Sequence, residues 1–410
     1  MLPVDVTGRA ELVSDAWIDA ARRYLEDAVA TEPALRSGSW SVCETFTDAP
    51  PGLGLPGDVA VWHLRIDDGV VTVGRGELPD ADLRVRGDYQ AVLAMSQTVY
   101  AAGPEAVARA RRELAHRHGP DAVVMEGGLQ GDRAALRAIG GLHDHLAART
   151  VENPDLAHRL RRLGLERHAA ELDEVGFTVI ERAVSEVMAD ELREVVEREV
   201  RAHHPFTTNG LLLRHRLFEE VALHPLACAV AESVVGRGFL LGAMSGTYKE
   251  AGPGAIGLHA DYPLVRDPFP DFGLIAVACW ALEDWTVDAG PTWVIPGSPR
   301  WKRSPTRADT REGGVPIECP KGSIALWGNG VWHWQGDRSA PGARVTIHVT
   351  YNRLFVRPLD DLSGVDDEMY ARNPPAFATL MGCDDPFGKS SYTGHDGPRF
   401  AYAARHLQRT

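Results

Sequence analysis

Three residues of this 410-residue chain are spaced so that they could hold one metal ion. His259 and Asp261 stand two apart, and His333 follows 72 residues after Asp261. Two imidazoles and one carboxylate leave half of an octahedral coordination sphere open, the arrangement that non-haem Fe(II) oxygenases need. Arg344 comes 11 residues after His333. Its planar guanidinium fork matches the carboxylate of an organic co-substrate. With 16 histidines in the chain, about one His-x-Asp triplet arises by chance, so the triplet has to be judged by its surroundings.

Those surroundings are the elements that must position the side chains. Gly252-Pro253-Gly254-Ala255-Ile256-Gly257 is a flexible approach to His259. Ser323-Ile324-Ala325-Leu326-Trp327 reads as a strand, and Gly328-Asn329-Gly330 as the turn that leads to His333. Arg344 opens a further strand-like run that ends near Tyr351. Alternation puts Arg344, Thr346, His348 and Thr350 on one face and Val345, Ile347, Val349 and Tyr351 on the other. The first set is too polar for a core and suits the wet interior of a barrel.

Further candidates surround this frame. Thr247 and Lys249, on either side of Tyr248, end the strand-like run before the metal motif and could hydrogen-bond the co-substrate. Tyr262, Trp280, Trp332 and His348 are candidates for the substrate pocket. Trp327, Trp332 and Trp334 flank His333 and would shield the iron. His143-Asp144-His145 competes as a metal set, but helix neighbours one or two apart do not share a face. A solvated helix surface is expected there. His203-His204, before Pro205, lacks a third ligand and reads as a loop.

Residues 165–357 resemble the phytanoyl-CoA dioxygenase family of Fe(II)/2-oxoglutarate oxygenases. Four landmarks carry the likeness, in order. They are Glu174-Val175-Gly176-Phe177-Thr178-Val179-Ile180; His259-Ala260-Asp261; Gly290-Pro291-Thr292-Trp293-Val294-Ile295-Pro296-Gly297-Ser298; and Gly322-Ser323 leading to His333 and Arg344. The resemblance implies a double-stranded β-helix, a jelly-roll or cupin-like barrel with flanking helices. It implies Fe(II) on His259, Asp261 and His333, 2-oxoglutarate on Arg344, and O2 as oxidant, with succinate and CO2 released. The family usually has His after the Pro-Gly-Ser triplet, where Pro299 stands here. Halogenases of the superfamily replace the carboxylate ligand by a small residue. Asp261 therefore implies hydroxylation, or desaturation, epoxidation or ring formation. The family's substrates include acyl-CoAs, amino acids and natural-product intermediates. The chain shows no phosphate-binding glycine loop and no dense basic cluster suited to CoA, so a small or medium specialised metabolite is expected. The alternative is a non-catalytic lipid or acyl carrier with a degenerate barrel, against which the complete ligand set argues.

Length bounds the organisation. At roughly 150 residues per domain, two domains are expected, at 1–150 and 151–410, joined by a linker near Asn153-Pro154. The net charge of −14 and pI near 5.6 disfavour a polyanionic partner such as nucleic acid. Cys43, Cys228, Cys279, Cys319 and Cys383 are scattered with no CxxC, as expected of reduced thiols in a cytoplasmic protein. No signal peptide and no membrane-length apolar run is legible, and the oligomeric state is not.

Along the first domain the pattern predicts a helix over 12–30 and a loop-rich segment over 38–56. A hairpin at 62–66 and 70–74 follows, then a strand at 81–86, helices at 88–98 and 104–117, a strand at 122–125 and a helix at 132–148. This order resembles a sterol-carrier-protein-2-like α+β domain, in the Trp62–Ile66/Val70–Gly74 hairpin, Ala81-Asp82-Leu83-Arg84-Val85-Arg86-Gly87-Asp88 and the helix after Met125-Glu126-Gly127. Such domains can bury an apolar tunnel for lipid-like ligands; the alternative is a domain that only packs, dimerises or helps hold a substrate. Beyond the linker come helices at 156–172, 185–202 and 223–235 and strands at 178–180 and 238–249. Residues 358–410 are expected to wrap the barrel as short helices and loops.

Overall fold

The computed structural model describes residues 8–53, 57–129, 133–203 and 206–385. The chain divides into two units, Met1–His158 with Asp366–Ala378, and Arg159–Val365 with Thr379–Thr410.

The first unit is built on a five-stranded sheet. Its spatial order is Val70–Arg75, Ala60–Asp67, Ser39–Thr47, Leu83–Asp88, Val123–Gly127. The central strand, Ser39–Thr47, runs antiparallel to Ala60–Asp67 and parallel to Leu83–Asp88. It lies in the segment expected to be loop-rich. There Pro50, Pro51 and the glycines mask a real alternation, Trp40, Val42 and Phe46, all buried. The expected hairpin turns at Asp68 (φ 45°) and Gly69 (φ 82°), the pair of left-handed residues that a tight two-residue hairpin requires. Helix Asp15–Thr31 starts after Val13, whose φ of 63° no helix accepts, and Ser14 caps it by accepting from Trp17 N. Trp17, Ile18, Ala21 and Leu25 of this helix join Leu142 and Leu146 of helix Arg133–Ala147 in one core with the sheet.

The second unit has two antiparallel sheets. The larger runs Phe177–Ile180, Ile324–Gly328, Ile275–Ala281, Arg344–Asn352, Leu240–Lys249, Thr207–Asn209. The smaller runs Val315–Pro316, Thr292–Val294, His333–Gln335. Val277, Cys279, Ala325 and Trp327 of the larger sheet meet Val294 of the smaller in a shared core. Helix Glu186–His203 packs on Leu240–Lys249, and helix Pro225–Val235 on Ile275–Ala281. Under them lie Val345, Ile347, Val349 and Tyr351, each 0% exposed. Burial of each such side chain contributes about 1.5–3 kcal/mol. Two sheets facing across a core, with helices on the larger one, is the layout of a jelly roll.

The helix expected over 156–172 is two, Leu156–Arg162 and Glu166–Val175, broken at Gly164 with φ 68°. Residues 358–410 are expected to wrap the barrel, but the stretch Asp366–Ala378, with helix Asp367–Arg372 and most of helix Pro375–Leu380, belongs to the first unit, while residues 386–410, like His204 and Pro205, lie outside the described residues. All five cysteines are free thiols. Among the described residues no helix is long and apolar enough to cross a membrane.

Candidate metal centre

A two-way antiparallel bridge sets His259 and His333 side by side. His259 N donates to His333 O and His333 N to His259 O, each at 2.9 Å. The ring centroids lie 4.1 Å apart. Each Nδ1 rests against the carbonyl two residues upstream, Gly257 O at 2.9 Å and Val331 O at 3.0 Å. A carbonyl only accepts, so Nδ1 carries the proton in both rings and Nε2 keeps its lone pair, the form that binds a metal.

Both Nε2 atoms turn toward one carboxylate. His259 Nε2 is 3.5 Å from Asp261 Oδ1, and His333 Nε2 is 3.6 Å from Asp261 Oδ2. The three ligand atoms lie within 4.8 Å of one another, the one such group among the described residues. Two metal–ligand bonds of about 2.1 Å reach at most about 4.2 Å, which covers both His–Asp separations of 3.5 and 3.6 Å, so the donor set fits a single ion with a small closure of the two rings. Trp327 Nε1 donates to Asp261 Oδ2 at 2.9 Å and aims the carboxylate. Burial works against charge on Asp261. The opposing pull of His333, His259 and the Trp327 N–H outweighs it and holds the carboxyl far below its usual range. Burial lowers the pKa of His333. For His259 burial acts in the same direction but is overcome by its bond to Asp261.

Arg344 begins the Arg344–Asn352 strand on its inner face and is 2% exposed. Its Nη1 donates to Gly290 O, and its guanidinium lies 5.5 Å over the Trp285 ring. Nε has no partner among the described residues. Burial brings its pKa down to about 10, so the group stays charged at neutral pH. The Glu283 carboxylate that acts on it is already paired with Arg338 and Arg193, and an anionic ligand would complete the buried guanidinium.

The same face carries the neighbours expected there. Thr247 and Thr346 share a hydrogen bond of 2.5 Å between their hydroxyls. His348 Nε2 is 3.2 Å from Cys279 Sγ, and its ring is 6.1 Å from Trp327. Burial, with Arg344 nearby, pushes the His348 pKa down to about 4, so the imidazole is neutral. Lys249 pairs with Arg344 in register, yet its Nζ donates to Gly252 O (3.0 Å) and Pro253 O (2.8 Å). Its ammonium therefore ties down the loop that approaches His259.

Three pocket candidates have partners other than the ligand residues. Tyr262 and Trp332 sit with Ala260, Phe269, Ile295 and Trp334 in a separate apolar cluster. The Tyr262 hydroxyl accepts from Leu274 N at 2.8 Å, and Trp332 Nε1 donates to Arg303 O at 2.8 Å. Successive residues of a strand point to opposite faces. Trp280, fully buried, meets His224 edge-on at 5.0 Å beside helix Pro225–Val235. It faces away from its neighbour Cys279 for the same reason.

Two contributors carried no sequence signal. Trp285, beneath Arg344, is a lone aromatic in a loop. Gly290 supplies the carbonyl that holds Arg344 from a left-handed backbone (φ 71°). Pro299, at the departure from the family pattern, lies against Gly176, while Ser298 Oγ accepts from Trp332 N at 2.8 Å. His143-Asp144-His145 is packed rather than solvated. His143 stacks on Tyr100 at 3.8 Å, Asp144 accepts from Tyr100 N and Ala101 N, and His145 lies 4.8 Å from Tyr24.

Comparison with known proteins places this geometry. Residues 172–345 match the phytanoyl-CoA dioxygenase (PhyH) family. An uncharacterized protein of Mycobacterium tuberculosis is 27% identical over 127 residues, 30% of this chain and 45% of the relative. Dioxygenase af480 of Aspergillus fumigatus is 28% identical over 152 residues, 36% of this chain and 48% of the relative. The matches thus span about half the length of these curated relatives. Among solved structures, the epimerase SnoN in complex with Fe3+, alpha ketoglutarate and nogalamycin RO aligns with a TM-score of 0.42 and 22% identity, covering 50% of this chain and 91% of that one. The alpha ketoglutarate dependent carbocyclase SnoK aligns with a TM-score of 0.39 and 17% identity, covering 51% and 91%. The family match encloses the His-Asp-His set and Arg344, so the part of the chain that holds the candidate centre is the part similar to the phytanoyl-CoA dioxygenase family.

Proposed function

We propose that the second unit is an Fe(II)- and 2-oxoglutarate-dependent oxygenase acting on a carbon–hydrogen bond of a small or medium specialised metabolite. The observation that carries this reading is the convergence of His259, Asp261 and His333, with both Nδ1 atoms already committed to backbone carbonyls. Bound iron, with 2-oxoglutarate and O2, supplies the oxidising chemistry and releases succinate and CO2. The chain's own groups bind and orient. The two Nε2 atoms and the Asp261 carboxylate hold the ion, and the Trp327 N–H keeps that carboxylate in place. Arg344 anchors the distal carboxylate of 2-oxoglutarate, and Thr247 and Thr346 line the same face. Lys249 serves the site by fixing the 252–253 backbone. Asp261 occupies the position that a halide would need, which favours hydroxylation, desaturation, epoxidation or ring formation. Five free thiols fit a reducing, cytoplasmic setting.

The test is succinate formation from 2-oxoglutarate by the Fe(II)-loaded chain, with metal content measured for wild type and His333→Ala. The expected result is one equivalent of iron and succinate release in the wild type, with both lost in a folded His333→Ala. Full iron occupancy and turnover in that variant would overturn the assignment.

A further inference from the structure

The first unit carries a carboxyl group where its sheet should be apolar. Glu44 lies in the middle of Ser39–Thr47, and the register lines up Trp62, Glu44, Val85 and Met125 across four adjacent strands on one face. This is the face that builds the core. Trp40, Val42 and Phe46, two or four residues from Glu44, are at most 4% exposed, and Trp62 is 3% exposed. Past Glu44 the cover thins. Leu83, Val85 and Val123 are half-buried, and Met125 is 58% exposed. The reason is the placement of the helices. Helix Asp15–Thr31 packs on the Val70–Arg75 edge, and helix Arg133–Ala147 packs on that helix. Helix Tyr89–Ser96 covers the Gly87 end of this face with Val92, and Tyr100, bonded to Arg111, lies near Glu44; the rest of the Leu83–Asp88 and Val123–Gly127 strands is left partly open. Glu44 therefore stands at the border between a closed core and an open apolar strip.

Its bonding is incomplete. Oε2 accepts from Trp62 Nε1 at 2.7 Å. No Lys, Arg or His among the described residues neutralises it. Burial, opposed by the Trp62 bond, pushes its pKa up to about 7. Glu44 is half-buried, and a carboxylate drawn partly out of water without a counter-charge is destabilising, a cost that leucine or valine here would avoid. The position makes sense if a cation completes it from the open side.

We propose that this face of the first unit binds a small amphipathic cation, its apolar body on Leu83, Val85 and Met125 and its ammonium group on Glu44. The inference stands apart from the oxygenase reading and involves none of its residues. An alkylammonium matches both halves of the site, whereas a fatty acid would bring a second carboxylate against Glu44.

Calorimetric titration of the full chain with octylammonium, octanoate and octanol at neutral pH tests this. Octylammonium should bind at one site at least tenfold more tightly than octanoate, with octanol between them. Glu44→Gln retains an acceptor for Trp62 and should remove most of the octylammonium preference while leaving octanol binding within about twofold. Met125→Ser should weaken octylammonium and octanol alike. No octylammonium binding, equal binding of octylammonium and octanoate, or unchanged octylammonium affinity in Glu44→Gln would each overturn the proposal. If Glu44→Gln fails to fold, the wild-type comparison of cation with anion decides it.

Discussion

At the scale of single residues, the centre depends on groups that bind no metal themselves. Trp327 Nε1 holds Asp261 Oδ2 at 2.9 Å, so Trp327→Phe removes one hydrogen bond and keeps the ring. Loss of such a partner typically lowers metal affinity about 10–100-fold. A shift of that size should appear in competitive iron titration against a chelator, and unchanged affinity would show that Asp261 needs no such guide. Arg344 tests the other end of the site. Removing one partner of a buried charge pair costs about 3–5 kcal/mol, and about 1.4 kcal/mol is tenfold in affinity. Arg344→Ala should therefore raise the KM for 2-oxoglutarate at least about a hundredfold with iron content unchanged. Arg344→Lys should recover part of this by keeping the charge without the fork. A normal KM in the Ala variant would make Arg344 structural.

At the scale of elements, strand alternation sorts the roles. On Arg344–Asn352, Arg344, Thr346 and His348 face inward, and Val345, Ile347 and Val349 lie under helices. On Ile275–Ala281, Cys279 meets His348, and Trp280 meets His224. Trp280→Ala should thus behave as a core truncation, costing about 3–5 kcal/mol, while the folded fraction binds iron and 2-oxoglutarate normally. Chemical denaturation combined with metal analysis separates the two effects. A stable variant with altered 2-oxoglutarate binding would place Trp280 in the pocket after all. Gly290 is constrained differently. A Cβ there would come 2.9 Å from Asp337 O at a φ of 71°, so Gly290→Ala should lower stability and loosen the hold on Arg344. Its signature is a rise in the KM for 2-oxoglutarate together with a lower melting temperature.

At the scale of the whole molecule, each unit has its own apolar core. Trp62, Leu64 and Ile66 belong to the first, and Val277, Val294 and Trp327 to the second. Leu64→Ala, at a site 2% exposed, should cost about 2–5 kcal/mol in the first unit. Hydrogen exchange should then accelerate in Ser39–Thr47 and Ala60–Asp67, while the amides of Arg344–Asn352 keep their protection. Accelerated exchange in both units would show that they unfold as one.

The sequence by itself picked out the three residues that converge, the strand that carries Arg344 and the polar face of that strand. These depend on spacing and on alternation with period two, both properties of local chain geometry. It also determined most elements of the first unit, through helical periodicity and the Asp68-Gly69 turn. It missed the central strand Ser39–Thr47, because turn-forming residues just beyond it hid a short alternating run. Only the tertiary structure decided the rest. Lys249 is drawn to the Gly252 and Pro253 carbonyls, Tyr262 and Trp332 are sorted into a separate apolar cluster, and Trp280 is turned toward a helix. It brought Trp327 to Asp261 and Trp285 to Arg344, pairs separated by 66 and 59 positions. Such contacts depend on which sheet faces which, and no local pattern of residues encodes that.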